Sequence, residues 1–337
     1  MGVQTPTEIA ELSLRTPRPM TILSVRKRSD SNTVLSVRKR SDSNNYAKAK
    51  LILIIIVLHV KMKILHIFLK GVNAMIDVMF RNNVKIIGKG NQPIIFAHGF
   101  GCDQDMWRFI TPAFEENYQV ILFDYVGSGN SDLHAYNSEK YSSLQGYVQD
   151  ILDIIEALKL SDILFVGHSI SSMIGMLASI EQPAYFKKII MIGPSPCYLN
   201  DGDYRGGFEQ SDITELLDMM EMNFVGWASY MAPIAMNNPE VPKLSQELEQ
   251  TFIAANPEIA REFAEVTFLS DYRDDLAKTI VPTLIMQCSD DSIVPIEVGE
   301  YLHSHLKNST FLLMKAKGHY PHISHPEETI RCITEFL

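Results

Sequence analysis

From residue 75 onward, short apolar runs alternate with longer segments in which apolar residues recur at helical spacing. The runs are apolar throughout, as in strands that are buried on both faces of a parallel sheet. In Tyr147–Leu158 four apolar residues share one face, as in an amphipathic helix: Val148, Ile151, Ile155 and Leu158. This alternation predicts an α/β fold with a doubly wound, mostly parallel sheet and right-handed crossovers. The predicted strands are Ile94–Ala97, Val120–Phe123, Ile163–Val166, Ile189–Ile192, Thr283–Gln287 and Phe311–Met314.

The alternation stops between Ile192 and Thr283, where no strand pattern is found. Four helical segments fill this interval, and Pro233, Pro239, Pro242 and Pro257 are predicted to break them. We therefore expect a four-helix lid at about residues 197–275, inserted after the sixth strand of the sheet. Such a lid would cover the C-terminal strand edge, where ligands bind in α/β sheets. The four segments are Ile213–Phe224, Gly226–Met236, Leu244–Ala254 and Glu258–Phe268.

The first 74 residues do not share this pattern. Thr21–Asn32 and Thr33–Asn44 form a direct repeat with one substitution, and its Ser-, Arg- and Lys-rich composition predicts disorder. The apolar run Leu51–Val60 ends at a lysine, well short of the ~20 residues that a membrane-spanning helix needs. Membrane attachment is therefore expected only if residues 51–69 act as an anchor. We expect residues 1–74 to lie outside the fold and residues 75–337 to form one α/β domain.

Composition and charge narrow the possible partners. The chain has 337 residues, of which 46% are hydrophobic and 21% charged, as in a globular protein with a sizeable core. Residues 1–75 carry 13 Lys and Arg against 4 Asp and Glu, whereas the remainder carries 17 against 36. This excess of negative charge after residue 75 repels phosphate backbones, so nucleic acid is not an expected partner. The four cysteines contain no CxxC pair, which favours reduced thiols in a cytoplasmic protein.

A candidate nucleophile lies in the segment Gly167-His168-Ser169-Ile170-Ser171, directly after the predicted strand Ile163–Val166. A serine on a sharp turn from strand to helix is the nucleophile elbow of α/β-hydrolases. The turn needs small neighbours: Gly167 is one, and Ser171 stands where a second glycine is usual. A serine hydroxyl is a poor nucleophile at neutral pH, so Ser169 needs a base.

An acid and a base follow later strands in the chain order of this fold, which is Ser, acid, His. Asp290 and Asp291 follow Thr283–Gln287, and we select Asp291, which lies four residues before Pro295. His319 follows Gly318 just after the strand Phe311–Met314, and we select it as the base.

Two further histidines, His322 and His325, lie beyond His319, and we expect them to be solvent-exposed or to cap the last helix. No cluster shows metal-ligand spacing that these roles leave unexplained, so neither a metal nor a cofactor is expected.

Two loops after strands are candidates for anion binding. His98-Gly99-Phe100-Gly101 follows Ile94–Ala97, and in this fold such a loop supplies one oxyanion donor while the residue after the serine supplies the other. The donors would be the backbone N–H groups of Phe100 and Ile170, with His98 holding the loop. Gly127-Ser128-Gly129 lacks the third glycine of a dinucleotide loop, and it predicts a tight turn.

These motifs resemble the RsbQ-type α/β-hydrolases of the bacterial general stress response, which are related to the plant karrikin and strigolactone receptors. The resemblance extends from about Arg81 to the C terminus and rests on residues 98–107, 120–133, 165–169, 193–201, 206–209 and 318–329. It implies a triad of Ser169, Asp291 and His319 under a four-helix lid. It also implies a small, closed, apolar pocket, for which the candidate lining residues are Phe100, Phe208, Phe224, Trp227 and Phe263.

The resemblance implies a serine hydrolase that acts on a small hydrophobic ester or lactone in signalling. The RsbQ-like proteins transmit their signal to a PAS-linked serine phosphatase, so a phosphatase or another signalling protein is a candidate partner. The alternative is a ligand-sensing regulator with slow or incidental hydrolysis. A third hypothesis is that the chain is a lyase or a cofactor-free oxygenase with the same fold. A serine nucleophile argues against dehalogenase and epoxide hydrolase chemistry, which uses an aspartate at this position.

Overall fold

A computed structural model of the chain describes residues 23–26, 34–37 and 43–337. The chain separates into two compact units, Met1–Val72 and Asn73–Leu337. In the first unit, Leu23–Arg26 (β1) pairs antiparallel with Val34–Val37 (β2) inside the repeat for which disorder is predicted. Four residues of alternating apolar and polar character are too few to stand out as a strand in the sequence. The last two residues of the repeat, Ser43 and Asn44, begin the helix that follows, and the remaining residues of the repeat lie outside the described residues.

A helix of 39 residues, Ser43–Arg81 (α1), contains the apolar run Leu51–Val60. The predicted boundary at residue 75 lies within this helix, and the separation of residues 1–74 from the domain stays a prediction. Most apolar side chains from Leu51 to Leu65 are exposed. Among the residues described, no helix combines the length and the apolar character needed to cross a membrane.

The second unit is built on a seven-stranded sheet in the order β3-β5-β4-β6-β7-β8-β9. Every neighbouring pair is parallel except β3 with β5. The α/β fold with a mostly parallel sheet is thus confirmed, and all six predicted strands are present. Strand β3 is not predicted, because a KII triplet is too short to recognise. The strands are Lys85–Ile87 (β3), Gln92–Ala97 (β4), Tyr118–Leu122 (β5), Ile163–His168 (β6), Phe186–Ile192 (β7), Thr283–Asp290 (β8) and Ser309–Lys317 (β9).

Apolar side chains pack on both faces of this sheet. In β4, Ile94 and Phe96 belong to a core that also contains Trp107, whereas Ile95 and Ala97 belong to a second, larger core. Burial on both faces explains why the central strands are apolar throughout. The helices outside the insertion are Leu144–Leu158 (α2), Ile170–Glu181 (α3), Ile296–His305 (α8), Pro321–Ser324 (α9) and Pro326–Phe336 (α10).

Four helices between β7 and β8 form a helical insertion, residues 210–268. They follow the fifth strand of the sheet, so the expected position after a sixth strand is wrong. Only β3 precedes β4 in this sheet, because β1 and β2 form a separate sheet and the helix α1 lies between them and β3. Cys197 and Asp271 form an isolated antiparallel bridge that joins the two ends of the connection. The helices are Gln210–Met222 (α4), Phe224–Met236 (α5), Pro242–Ala254 (α6) and Pro257–Phe268 (α7).

The prolines of the insertion do not all break helices. Pro242 and Pro257 are the first residues of α6 and α7, where the missing N–H has no intrahelical partner to lose. Pro233 was predicted as a breaker, but α5 continues through it to Met236. Near the end of a helix, a proline interrupts few hydrogen bonds, and packing of the apolar face offsets that loss.

Candidate active site

Ser169 occupies the turn between β6 and α3. Its backbone has φ +55° and ψ −125°, a conformation that costs free energy and is typical of a nucleophile elbow. Its N–H donates to the Ile192 carbonyl at 2.8 Å, which holds the turn against the end of β7. A Cβ at Gly167 would lie 2.6 Å from the carbonyl oxygen of Ser171, so the turn requires glycine there. The serine is 5% exposed, at the C-terminal end of the sheet.

The structure brings together the three residues selected as nucleophile, base and acid. His319 Nε2 lies 2.8 Å from Ser169 Oγ, and His319 Nδ1 lies 2.8 Å from Asp291 Oδ2. The imidazole and the carboxylate are both buried. With its Nδ1–H donated to Asp291, the neutral imidazole presents the lone pair of Nε2 to the Ser169 hydroxyl, the arrangement that a general base requires.

The backbone distinguishes Asp291 from its neighbour Asp290. The N–H groups of Ile293 and Val294 donate to Asp291 Oδ1 at 2.8 and 3.1 Å, so that Oδ2 points to His319. Asp290 is exposed. Its main-chain carbonyl oxygen accepts a hydrogen bond from the N–H of Gly318 at 2.7 Å. Adjacent carboxylates therefore have separate surroundings, one inside the site and one at the surface.

The loop after β4 packs directly on the elbow. A Cβ at Gly99 would lie 2.5 Å from His168 Nδ1 and 3.3 Å from Ser169 Cβ, so this close approach requires glycine. His98 holds the loop: its Nδ1 is 2.9 Å from the Gly99 carbonyl, and its Nε2 accepts from the N–H of Tyr125 at 3.3 Å. Within residues 75–337, the N–H groups of Phe100 and Ile170 donate to no other protein group.

Ser171, in place of the second elbow glycine, joins the elbow to this loop. Its hydroxyl donates to the carbonyl oxygen of His98, and the Tyr125 hydroxyl lies 2.9 Å from it. All of these groups are buried. The departure from the glycine pattern thus adds one hydrogen bond from α3 to the loop that carries the Phe100 N–H and a second to Tyr125, which follows β5.

A small cavity of about 40 Å³ lies over Ser169. Two of the five predicted lining residues, Phe100 and Trp227, line it. The other three were predicted wrongly, because each lies one layer behind the lining. Phe224 stacks on Trp227 at 5.2 Å, Phe263 packs on Phe100 at 5.7 Å and Phe208 packs on Phe268 at 5.8 Å, centroid to centroid. The full lining comprises Phe100, Ser169, Tyr198, Leu216, Trp227, Met231, Ala235, Phe252, Thr267, Phe268, Ile293, His319 and Tyr320.

Tyr198 is a site residue that the sequence did not single out. Its hydroxyl lies 3.3 Å from Ser169 Oγ, at the edge of the cavity. Burial raises the pKa of the Tyr198 phenol, so the hydroxyl stays protonated and can donate to the serine oxygen. It lies in the irregular segment after β7, where no sequence pattern predicts the direction of a side chain.

His322 is not at the surface, so the expected exposed role is wrong. It is 1% exposed, and its ring stacks on Trp107 with centroids 4.6 Å apart. Burial, followed by the charges of His319 and Arg108, lowers its pKa to about 3. His325 occupies the N-cap position of α10, but its side chain makes no capping hydrogen bond, and its Nδ1 lies 2.8 Å from Ser324 Oγ instead.

The Gly-x-Gly segment after β5 encloses a carboxylate. Asp124 Oδ1 accepts the N–H of Gln104 at 2.9 Å, and Asp124 Oδ2 accepts the N–H of Asn130 at 2.9 Å. Such amide donors would be needed to cradle a phosphate, and here they are already used. Across the described ranges, no group of three or more His, Cys, Asp or Glu side chains is placed to hold a metal ion.

Comparisons with known proteins agree with this geometry. The sequence profile of the alpha/beta hydrolase fold family matches residues 92–326. Strigolactone esterase D14 of Arabidopsis thaliana is 40% identical over 256 residues, which cover 76% of this chain and 96% of the relative. Karrikin insensitive 2 receptor CA of Petunia hybrida is 39% identical over 250 residues, 74% of this chain and 93% of the receptor. A hydrolase from Oleispira antarctica matches with a TM-score of 0.76 and 42% identity, covering 78% and 96% of the two chains.

Proposed function

This chain belongs to the alpha/beta hydrolase fold family and is an ester hydrolase, and we propose that it cleaves small, largely apolar esters or lactones with Ser169 as the nucleophile. The observation that carries the proposal is the hydrogen-bond chain from Asp291 through His319 to Ser169, with both contacts at 2.8 Å. Its burial keeps the donors and acceptors in one geometry without competition from water.

The reaction follows from this chain of contacts. Ser169 Oγ attacks the ester carbonyl while His319 Nε2 takes its proton, and Asp291 stabilises the imidazolium. The imidazolium then gives the proton to the leaving alkoxide, which leaves an acyl group on Ser169. Water attacks the acyl carbonyl, again with His319 as base, and releases the acid.

The negative charge that develops on the carbonyl oxygen needs donors near Ser169. We assign this role to the backbone N–H groups of Phe100 and Ile170, which no other protein group in residues 75–337 uses. Donors of this kind act only on the transition state, and the loss of one lowers kcat by about 100-fold to 1000-fold in enzymes of this type.

The cavity supports a small, apolar substrate. Its walls are mainly aromatic and aliphatic, and its volume of about 40 Å³ is far below the ~300 Å³ of a typical ligand site. A larger ligand therefore requires side chains of the helical insertion to move apart. On this basis the insertion acts as a lid over Ser169.

A second candidate is a ligand-sensing regulator in which slow hydrolysis accompanies a signal to a partner protein. It is supported by the 39% identity with a karrikin receptor and by the small volume of the cavity, because a lid that must rearrange around a ligand can report its presence. For this regulator we further propose that the chain belongs to the RsbQ-type branch of the family and is located in the cytoplasm. Its signalling partner would be a phosphatase or another signalling protein.

The test uses the full chain and 4-nitrophenyl acetate, with Ser169→Ala and Ser179→Ala as variants. Ser179 is a buried serine of α3 whose hydroxyl donates to the Met176 carbonyl at 2.7 Å, so it is the matched control. Many turnovers that are lost only in Ser169→Ala support the hydrolase. A single burst equal to the enzyme concentration, followed by a stall, favours the regulator. A folded wild-type chain that never releases 4-nitrophenol contradicts nucleophilic chemistry at Ser169.

A further inference from the structure

Two residues of the helical insertion line the cavity and carry a polar group that has no hydrogen-bond partner in the part of the chain that the structure describes. Thr267 on α7 and Trp227 on α5 both line it, and they are 1% and 2% exposed. Among the described residues, neither Thr267 Oγ1 nor Trp227 Nε1 has a hydrogen-bond partner. Buried polar groups are nearly always paired, so two unpaired groups in one small cavity indicate partners that a ligand supplies.

The surroundings of Thr267 differ from those of other helical threonines in this chain. A threonine within a helix commonly donates to the carbonyl four residues before it. Thr251 does so to Glu247 at 3.0 Å and Thr214 to Gln210 at 2.9 Å. Thr267 makes no such bond, so its hydroxyl is available to the cavity.

The chemistry of the two groups defines the ligand atom. An indole N–H only donates, and a threonine hydroxyl can donate, so each group can donate a hydrogen bond to an acceptor oxygen of a ligand. The walls around them, which include Phe100, Phe252 and Phe268, are apolar and offer no compensating charge to an ion. The oxygen is therefore a neutral carbonyl or ether oxygen.

Building on the proposed function, we propose that Thr267 and Trp227 form a polar subsite for a second, neutral oxygen of the substrate, separate from the carbonyl that Ser169 attacks. The preferred substrates are then esters or lactones that carry a further ether or carbonyl group in an otherwise apolar skeleton. This polar subsite determines specificity and takes no part in the bond-breaking step.

The test compares two pairs of 4-nitrophenyl esters in which an ether oxygen replaces a methylene group. The first pair is methoxyacetate and butanoate, and the second is 3-methoxypropanoate and pentanoate. Wild type is compared with Thr267→Val, which keeps the side-chain shape, and with Thr267→Ser, which keeps the hydroxyl. The ratio of kcat/KM values within each pair is measured for each protein. The intrinsic reactivity of the esters cancels when these ratios are compared between proteins.

We expect Thr267→Val to lower the preference for the ether ester of at least one pair by about fivefold, the effect of one neutral hydrogen bond. Thr267→Ser restores the preference, and Thr251→Val leaves it unchanged because that hydroxyl is bonded to its own helix. If the kcat/KM ratios of Thr267→Val stay within twofold of the wild-type ratios for both pairs, the proposed polar subsite is contradicted.

A binding measurement separates this inference from the proposed function. The same ester pairs are titrated calorimetrically into Ser169→Ala with and without Thr267→Val, and the affinity ratios are compared. If no ester is turned over but the affinity ratio still falls with Thr267→Val, the proposed function fails and the polar subsite stands. If turnover is normal and neither kcat/KM ratios nor affinity ratios respond, the polar subsite fails and the function stands.

The indole N–H signals give an independent readout, since the chain has two tryptophans. Trp107 belongs to the other core, and its ring stacks on His322. In Ser169→Ala saturated with the ether ester of the responding pair, we expect the Trp227 indole proton to shift further downfield than with the methylene ester. The Trp107 signal should not move. Equal shifts of the Trp227 signal with both esters contradict the role of its N–H.

Discussion

The main-chain N–H of His319 donates a hydrogen bond to the carbonyl oxygen of Ala235, with a nitrogen–oxygen distance of 2.8 Å. Ala235 lies in the last turn of α5, so the loop that carries His319 is bonded to the helical insertion. The next carbonyl, that of Met236, lies beside Gly318, where a Cβ would be 1.9 Å from the oxygen. The insertion therefore helps to position His319 in addition to lining the cavity.

Gly318→Ala should displace the His319 loop from α5. Gly318 has φ +77°, and the added Cβ would clash with the Met236 carbonyl. Because a shift of about 1 Å in a catalytic group can lower activity by about 100-fold, we expect a loss of this size in kcat/KM for 4-nitrophenyl acetate. Gly202→Ala is the control, since Gly202 has φ +58° but no atom within 4 Å of the added Cβ. Equal losses in both variants would show that backbone strain alone is responsible.

Asp291→Asn should lower kcat far more than Asp290→Asn. An amide in place of the Asp291 carboxylate can turn its NH₂ toward His319 Nδ1 and stabilise the wrong tautomer, which in serine hydrolases lowers kcat by about 10⁴-fold. Asp290 is exposed and does not touch His319, so its substitution should change kcat less than about twofold. Steady-state hydrolysis of 4-nitrophenyl acetate by the two variants measures the difference. A comparable loss in both would contradict the assignment of Asp291.

Residues at strand ends could be predicted because topology decides where they lie. Ser169, Asp291 and His319 each follow a parallel strand, and the carboxyl ends of these strands share one sheet edge. Their positions directly after strands therefore predict that the three side chains lie close together. The cavity lining could not be predicted in the same way. Phe224 and Trp227 lie on one helix, yet only Trp227 reaches the cavity, because the tilt and rotation of α5 against its neighbours decide which side chain faces Ser169.

The same limit applies to buried polar residues. His322 resembles a surface histidine in the sequence, and only the stacking on Trp107 shows that it belongs to the core. Tyr198 lies in an irregular segment without a period, so its contact with Ser169 depends on the fold as a whole. Local patterns specify elements and their ends, whereas side-chain contacts between distant elements depend on packing.

Ser171→Ala should reduce turnover with little change in KM. The variant loses the hydrogen bond that Ser171 donates to the His98 carbonyl, which joins α3 to the loop of the Phe100 N–H, and it also loses the contact with Tyr125. A less rigid oxyanion donor weakens transition-state binding more than substrate binding, and we expect kcat to fall about tenfold. Ser179→Ala, on the same helix, should have no effect on kcat. A rise in KM at constant kcat would point instead to a role in substrate binding.

Stability should fall as the pH drops below about 6.5, because His322 is buried in its neutral form. Its folded-state pKa is lowered to about 3, whereas the unfolded chain has the ordinary value near 6.5. Between these values the unfolded state binds more protons, so acid favours unfolding by about 1.4 kcal/mol per pH unit. Burial also lowers the pKa of His168, which acts in the same direction.

The variant His322→Phe tests this contribution, since phenylalanine keeps a ring against Trp107 but cannot be protonated. Urea unfolding at about pH 7.5 and pH 5 should show that the acid-induced loss in the free energy of unfolding is smaller by about 2 kcal/mol in the variant. His134→Gln, a change at an exposed histidine, is the control. If the loss is as large in His322→Phe as in the wild type, His322 does not carry this pH dependence.

Substrate size should depend on the wall between the cavity and a neighbouring cleft. Leu216, Trp227, Met231 and Ile293 line both the cavity and a cleft of about 330 Å³, so their side chains separate the two spaces. Met231→Ala removes part of this wall and should let longer acyl chains extend into the cleft. Pockets discriminate about 10-fold or more per methylene group, so kcat/KM for 4-nitrophenyl hexanoate should rise at least tenfold relative to the acetate.

The loss of packing around Met231 should also lower the free energy of unfolding by about 2 kcal/mol or more, since a buried methionine is truncated. Met222→Ala is the matched control, because Met222 is 81% exposed at the end of α4 and touches neither space. If Met231→Ala lowers activity on both esters by the same factor, the wall does not limit acyl length. A selective gain on the hexanoate would instead identify residue 231 as a determinant of substrate size.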